Sequence, residues 1–246
     1  MPLGRTLEIC VDSLELAQAA VLGGADRIEL CGHLHDGGIS PSAGLTQAVR
    51  NSIQVPLAVL VRSRTGAFTA SDEEFEVMRQ DILIARKTGV DIVVLGILHA
   101  DRTVDIERTR QLVELARPMQ VTFHRAFDVC PNLEVALDAV LATGADRILT
   151  SGASSSAIAG APTVNKLRKV ADGRVTLMLC GSISPATIRR ALHLSGVQEA
   201  HASLRSSTRA KAAIGAAHVA YREQFIGRVR ELKRLMHQPL KTEVHL

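Results

Sequence analysis

The chain has 246 residues, of which 46% are hydrophobic and only 2% aromatic, and its formal net charge is +4. Scarce aromatics and dispersed Arg residues argue against nucleic-acid binding, so we expect no nucleic-acid partner. We also expect no membrane partner, because no apolar stretch approaches the ~20 residues of a membrane span and the N-terminus lacks a signal-peptide core. The four cysteines lie in or just after apolar runs, which indicates reduced thiols and a cytoplasmic protein.

Two strand-like runs near the N-terminus carry the same pattern, Glu8-Ile9-Cys10 and Glu29-Leu30-Cys31, with one helix-sized segment between them. A strand, a helix and a strand in this length predict a βαβ unit with parallel neighbouring strands. Alternate side chains share a face of a strand, so both acids and both thiols should line one face. If the two runs pair in this register, acid lies beside acid and the thiols approach within ~5–6 Å.

Further elements follow in chain order. A capping box at Ser71-Asp72-Glu73-Glu74 predicts a helix that runs to about Lys87. Apolar runs predict strands at 57–61, 121–123 and 176–179, besides the first at 7–11. Amphipathic periodicity predicts helices at 13–23, 105–116, 133–143, 163–171 and 185–195, and the Ser/Ala/Gly stretch 151–161 is predicted to be a loop.

A short internal sequence repeat, called the internal echo below, runs through these elements. Gly24-Ala25-Asp26-Arg27-Ile28 recurs as Gly89-Val90-Asp91-Ile92-Val93 and Gly144-Ala145-Asp146-Arg147-Ile148, with a weaker copy at Gly196. Each copy reads as a helix ending at glycine, a short turn and a strand, and each interval has the length of two strand–helix units. The sequence therefore predicts an α/β protein with the (β/α)8 (TIM) barrel fold. We expect a single domain over 1–246, with strand–helix units from about 7 to 205 and a C-terminal helical segment at 208–237. A doubly wound sheet fits the alternation but not the echo.

Sites in such barrels lie at the C-terminal ends of the strands, which here carry acids, arginines, histidines and thiols. Glu29 and His124 are candidate catalytic residues for acid/base chemistry, with Asp128 close enough in sequence to orient the imidazole. For Glu8 and Glu29, an interior salt bridge with Arg27 or Arg62 remains an equal alternative.

Small residues after the later strands predict an anion or substrate site, since barrels often bind phosphate there through backbone N–H groups. The candidates are Ser151, Gly152, Gly181 and Ser203, reinforced by Arg62, Arg64 and Arg205. No Walker or G-x-G-x-x-G pattern occurs, so no nucleotide cofactor is expected.

The thiols of Cys10 and Cys31 suggest a second kind of site. Two adjacent thiols suit Cu(I), which prefers thiolate ligands, whereas the spacings typical of zinc sites are missing. Two functions therefore stay open. One is a copper-binding protein. The other is a barrel enzyme that performs lyase, isomerase or hydrolase chemistry on a small anionic metabolite.

Taken together, these motifs resemble the CutC family of copper homeostasis proteins. The matching segments are 7–13, 23–31, 37–42, 72–75, 121–128, 147–152 and 201–203. The resemblance implies a cytoplasmic (β/α)8 barrel that forms a homo-oligomer, with a dimer favoured, and Cu(I) binding through Cys10 and Cys31. Two segments depart from the family pattern, namely 61–64 and Cys180-Gly181-Ser182-Ile183, where Cys180 could add a third thiol.

Overall fold

Eight parallel strands close into a barrel in sequence order, as a computed structural model that describes residues 4–204 and 216–238 shows. The strands are β1 Thr6–Val11, β2 Arg27–Leu30, β3 Leu57–Leu60, β4 Ile92–Leu95, β5 Gln120–Phe123, β6 Arg147–Thr150, β7 Thr176–Leu179 and β8 Glu199–Ala202. The (β/α)8 prediction is confirmed, and the doubly wound alternative is excluded because β1 pairs with β8.

Helices surround the barrel. They are α1 Leu14–Leu22, α2 Ala43–Ser52, α3 Asp72–Thr88, α4 Ile106–Ala116, α5 Leu133–Thr143, α6 Ala157–Ala171, α7 Ile188–Ser195 and α8 Ala216–Met236. Short 3-10 turns at Leu34–Asp36 and Arg125–Val129 follow β2 and β5. Of these elements, α2 is the one α-helix that the sequence patterns did not predict. In the described part of the chain, no helix has the length and apolar character needed to cross a membrane.

The internal echo has a structural reason at the N-terminal end of the barrel. The carboxylates of Asp26, Asp91 and Asp146 accept hydrogen bonds from the backbone N–H groups of Leu7, Leu57 and Val121, at 2.7, 2.8 and 2.7 Å. Each aspartate therefore ties an even-numbered strand to the start of the strand before it. This contact recurs in the first three pairs of strands, which accounts for a sequence repeat of two strand–helix units; the weaker fourth copy has Gln198 in place of the aspartate.

The predicted loop at 151–161 is wrong in its second half, because α6 begins at Ala157 with Ser156 as its N-cap. Serine and glycine in this stretch favour a loop, but Gly160 is needed for a close contact. A Cβ on Gly160 would lie 1.7 Å from the carbonyl oxygen of Ser151. The helix thus packs directly against the turn that follows β6, a contact that local sequence patterns do not reveal.

The C-terminal helical segment was predicted at 208–237, and α8 occupies Ala216–Met236. It packs against α1 and α7. Gly23 at the end of α1 permits this contact, since a Cβ there would lie 2.5 Å from the Cβ of Val229. Arg205 and positions 208–215 lie outside the described residues.

The interior of the barrel contains a charged layer near its N-terminal end. Arg27 Nε lies 2.5 Å from Glu8 Oε2, and Arg27 Nη2 lies 2.5 Å from Glu199 Oε2. Arg147 Nε completes the layer, 2.7 Å from the same Glu199 oxygen. Two acids balance two guanidinium groups, which is what burial of charge requires. This layer closes the barrel floor and supports the residues above it.

Candidate functional site

A cavity of about 460 Å³ opens at the C-terminal ends of the strands. Seven of the predicted site residues line it, namely Cys10, Glu29, Cys31, Arg62, His124, Gly181 and Ser203. The structure does not place Arg64, Asp128, Ser151 or Gly152 among the lining residues. Arg205 lies outside the described part of the chain.

The strands that carry the acids and thiols are staggered relative to the prediction. Glu8 pairs with Arg27, and Cys10 pairs with Glu29, so that the two acids are not opposite each other and neither are the two cysteines. A closed barrel requires its strands to shift in register around the axis, and here β2 is displaced by two residues from the alignment of the two motifs. Because the displacement is even, the same side chains still face inward.

The thiols nevertheless meet. Cys10 Sγ and Cys31 Sγ lie 3.7 Å apart, and both side chains are buried. Cys31 Sγ is also 3.6 Å from the carbonyl oxygen of Val11. The hydrogen bond with Cys31 and the burial of the site raise the pKa of the Cys10 thiol well above its usual value, and the nearby Glu29 carboxylate adds to this rise. In the absence of a ligand, Cys10 therefore keeps its proton at neutral pH.

The two glutamates have different environments. Glu8 forms the interior salt bridge with Arg27, whereas Glu29 has His201 as its ion-pair partner among the described residues, at 3.6 Å from Nε2. Burial opposes ionisation of Glu8, but Arg27 and His201 outweigh it and hold the Glu8 pKa at about 2. Burial raises the pKa of Glu29, and His201 only partly offsets that effect. Glu8 is therefore an anchored anion, while Glu29 is poised to exchange a proton.

His201 connects these two acids. Its Nδ1 lies 2.7 Å from Glu8 Oε1, on the side away from Glu29. Burial lowers the His201 pKa, but the two carboxylates outweigh this effect and raise it above 6.5. Since Glu8 is ionised, Nδ1 carries a proton and donates a hydrogen bond to the Glu8 carboxylate. The second nitrogen, Nε2, is the one that faces Glu29.

His124 lines the cavity as a neutral imidazole. Its Nδ1 accepts a hydrogen bond from the backbone N–H of Ala126 at 3.3 Å, so the proton of the neutral ring resides on Nε2. Burial lowers the His124 pKa to about 3, with a contribution from the positive charge of Arg62. Such a ring donates a hydrogen bond more readily than it accepts a proton, which argues against His124 as the general base.

Asp128 was expected to orient His124, but its hydrogen bonds lead elsewhere. Its carboxylate accepts from Thr150 Oγ1 at 2.6 Å, from Ser151 Oγ at 2.9 Å and from Arg125 Nε at 3.0 Å. Asp128 therefore fixes the turn after β6 and positions Arg125, which lines the cavity. Ser151 is held in the same network and is not among the residues that line the cavity.

Of the other residues predicted for the anion site, Arg62 lines the cavity, whereas Arg64 and Gly152 do not. Arg62 stacks over the Phe68 ring at 4.6 Å and donates to the carbonyl oxygen of Gly38, at the cavity wall. Arg64 instead pairs with Glu74 at 2.5 Å, outside the cavity. Gly152 serves packing, because a Cβ there would lie 2.6 Å from the Gly160 carbonyl oxygen.

Several polar residues that line the cavity were not among the predicted site residues, including Arg125, Ser154, Ser155 and His201. Cys180 also lines it, although the sequence analysis named this residue only as an additional thiol. His201 could have been found from strand parity, since it lies two residues after Glu199 and two before Ser203 and must share their inward face. No local pattern identifies Ser154 and Ser155, which reach the cavity from the turn before α6.

Comparison with known proteins gives a consistent result. Residues 5–206 match the family model described as the CutC family. A copper homeostasis protein cutC homolog from Homo sapiens is 45% identical over 204 residues, which cover 83% of this chain and 75% of the human protein. A family protein CutC from Chromobacterium violaceum is 45% identical over 201 residues, covering 82% of this chain and 81% of that protein. The crystal structure of a CutC protein from Streptococcus agalactiae superposes with a TM-score of 0.77 at 30% identity, covering 80% of this chain and 97% of that one.

Proposed function

Because this chain belongs to the CutC family of copper homeostasis proteins, we propose that it binds Cu(I) through the thiols of Cys10 and Cys31. The observation that carries the proposal is the 3.7 Å separation of the two sulfur atoms at the wall of the cavity. Cu(I) is a soft ion that favours thiolate ligands, and two thiols already in contact need little rearrangement to share one ion.

The surroundings of the thiols support the same proposal. The apolar side chains of Ala58, Leu60, Ile92 and Val94 pack with the two cysteines inside the barrel. Such a shell limits the access of water and of competing ligands to a bound ion. All four cysteines of the chain are free, as expected for the reducing cytoplasm in which we place the protein.

An anaerobic Cu(I) titration against a competing chelator tests this proposal. We expect Cys10→Ser and Cys31→Ser each to weaken binding and the double variant nearly to abolish it. Cys130→Ser is the matched control, because Cys130 is equally a buried free thiol but does not line the cavity. Cys180→Ser tests the third thiol and should leave two-coordinate binding unchanged. Unchanged Cu(I) binding by the double variant would show that the site is elsewhere.

The cavity itself favours a second candidate function, an enzyme that acts on a small anionic metabolite. Its volume suits a small molecule, and the guanidinium groups of Arg62 and Arg125 at its wall suit a carboxylate or phosphate. Glu29, with its raised pKa, would act as the general acid, and His124 would donate a hydrogen bond from Nε2. Such acid/base groups typically contribute about 10²–10⁴-fold to a rate.

A thermal-shift screen with small carboxylates and phosphate esters tests the second candidate. We expect a compound that raises the melting temperature of the wild type and of Arg64→Gln, but not of Arg62→Gln. Arg64 is the matched control because its guanidinium is held by Glu74 outside the cavity. A compound that stabilises all three proteins equally does not bind at Arg62, and this result would count against the assignment.

The family likeness also bears on assembly, and we propose a homodimer. Light scattering coupled to size-exclusion chromatography measures the mass directly. A monomer mass at micromolar concentration would refute this part of the proposal.

A further inference from the structure

Three side chains from neighbouring strands converge beside the thiol pair. Cys10 Sγ, a carboxylate oxygen of Glu29 and a ring nitrogen of His201 all lie within 4.8 Å of one another. They come from β1, β2 and β8, which are adjacent in the closed barrel, and all three line the cavity. Sulfur, oxygen and nitrogen atoms gathered this closely have the composition of a metal-ligand set.

The spacing of these donors suits a tetrahedral ion. Two ligands that each lie ~2.1 Å from one zinc ion at a tetrahedral angle are ~3.4 Å apart. His201 Nε2 and Glu29 Oε2 lie 3.6 Å apart. Little movement of either side chain would therefore bring both atoms onto one ion.

An outer shell already orients the histidine. Glu8 Oε1 accepts a hydrogen bond from His201 Nδ1 at 2.7 Å, which leaves Nε2 as the nitrogen available to a metal. Arg27 holds Glu8 in turn at 2.5 Å. Carboxylate–histidine–metal arrangements of this kind fix the tautomer and the ring orientation in metal sites. The charged floor of the barrel thus acts as the support of a binding site above it.

We propose that Cys10, Glu29 and His201 form a site for a divalent ion of the zinc class, with an open coordination position that faces the cavity. Thiolate, carboxylate and neutral imidazole are the ligands zinc takes in proteins, and three protein ligands with a free fourth position are typical of its catalytic sites. One thiolate and one carboxylate neutralise a divalent ion, so the loaded site carries no net charge into the barrel interior. The open position suits water or an anionic oxygen of a small ligand.

This site goes beyond the copper proposal and does not depend on it. Cys31 belongs to the thiol pair but not to the three-residue cluster, whereas Glu29 and His201 belong only to the cluster. Cys10 is common to both. A carboxylate oxygen is a poor ligand for Cu(I), so the two ions use different partners of Cys10 and exclude each other.

Titration of the metal-free, reduced full-length protein with Co²⁺, followed by competition with Zn²⁺, tests the proposal. Co²⁺ reports a thiolate ligand by its absorption, and we expect one equivalent per chain that Zn²⁺ displaces. Glu29→Gln should weaken binding by more than about 100-fold, because it replaces an anionic ligand at almost unchanged volume. Cys31→Ser removes the thiol that contacts Cys10 and should weaken Co²⁺ binding far less than Glu29→Gln does. Cys130→Ser is the matched control, because Cys130 is a buried thiol that does not line the cavity, and it should leave the affinity for Co²⁺ unchanged.

X-ray absorption at the zinc edge of the loaded wild type adds a measurement that no folding defect can affect. One sulfur with nitrogen and oxygen neighbours supports the cluster, whereas two sulfurs assign the ion to the thiol pair and overturn it. Three other results would overturn the proposal as well. These are an equal loss of Co²⁺ affinity in Glu29→Gln and Cys31→Ser, undiminished binding by Glu29→Gln, and no binding by the folded wild type. Cu(I) titrations of the same two variants separate the proposals, since copper binding should be weakened by Cys31→Ser and unaffected by Glu29→Gln.

Discussion

Replacement of Glu8 by glutamine tests how far the charged barrel floor stabilises the fold. Arg27 and His201 lower the Glu8 pKa from its ordinary value of 4.5 to about 2, although burial acts in the opposite direction. Each pKa unit corresponds to about 1.4 kcal/mol, so ionised Glu8 contributes about 3 kcal/mol to the free energy of unfolding at neutral pH. Independently, removal of one partner of a buried ion pair typically lowers the free energy of unfolding by about 3–5 kcal/mol, which agrees with this value.

The pH dependence has a definite sign. A carboxyl group whose pKa is depressed in the folded state stabilises the protein above its unfolded-state pKa. Its contribution is lost as the pH falls from about 5 toward 2, and more than half is gone at pH 3. Urea unfolding of the wild type and Glu8→Gln at pH 7 and pH 3 should therefore show a difference in unfolding free energy that shrinks in acid.

Glu134→Gln is the matched control, since Glu134 forms an exposed pair with Lys166 and should change stability by less than about 1 kcal/mol at either pH. A difference for Glu8→Gln that is equally large at pH 7 and pH 3 would refute the electrostatic reasoning. A difference near zero at pH 7 would show that the salt bridge does not stabilise the fold.

Three further predictions concern other parts of the molecule. The apparent Cu(I) affinity should rise between pH 6 and pH 8, because the ion must displace the proton that Cys10 retains; chelator competition that shows no pH dependence would contradict this. Gly160→Ala should lower the melting temperature, because its Cβ would lie 1.7 Å from a backbone oxygen, whereas Gly227→Ala, with no neighbour within 4 Å in a helix, should stabilise by about 1 kcal/mol. The NMR signals of the His124 ring should not titrate between pH 5 and pH 8, since its pKa is lowered to about 3, and a midpoint near 6.5 would show that the ring is solvated.

The fold could be derived from the sequence because its signals are local and repeated. Three copies of the echo combine a helix end, a glycine and an aspartate with an apolar run. The structure shows why the aspartate recurs, since Asp26, Asp91 and Asp146 each connect two neighbouring strands. The start of α6 was missed for the opposite reason. Its small residues resemble a loop by composition, and only the contact of Gly160 with Ser151 shows that they serve close packing.

The site could be predicted in part. Strand parity placed Cys10, Glu29 and Cys31 on the inward face, and all three line the cavity. Distance along the chain was a poor guide to polar partners, however. Asp128 lies four residues after His124 but bonds to the turn after β6, because the 3-10 turn directs its side chain to that neighbour.

The sequence by itself determined which side chains face the barrel interior, since alternation along a strand is a local property of the backbone. Only the tertiary structure decided which of them meet. Closure of the barrel staggers β2 against β1, so that Glu8 faces Arg27 while Cys10 faces Glu29. Closure also brings β8 beside β1 and places His201 between two acids that precede it by more than 170 residues. One glutamate becomes a structural anion and the other a candidate ligand because register and closure depend on the whole barrel, not on any single strand.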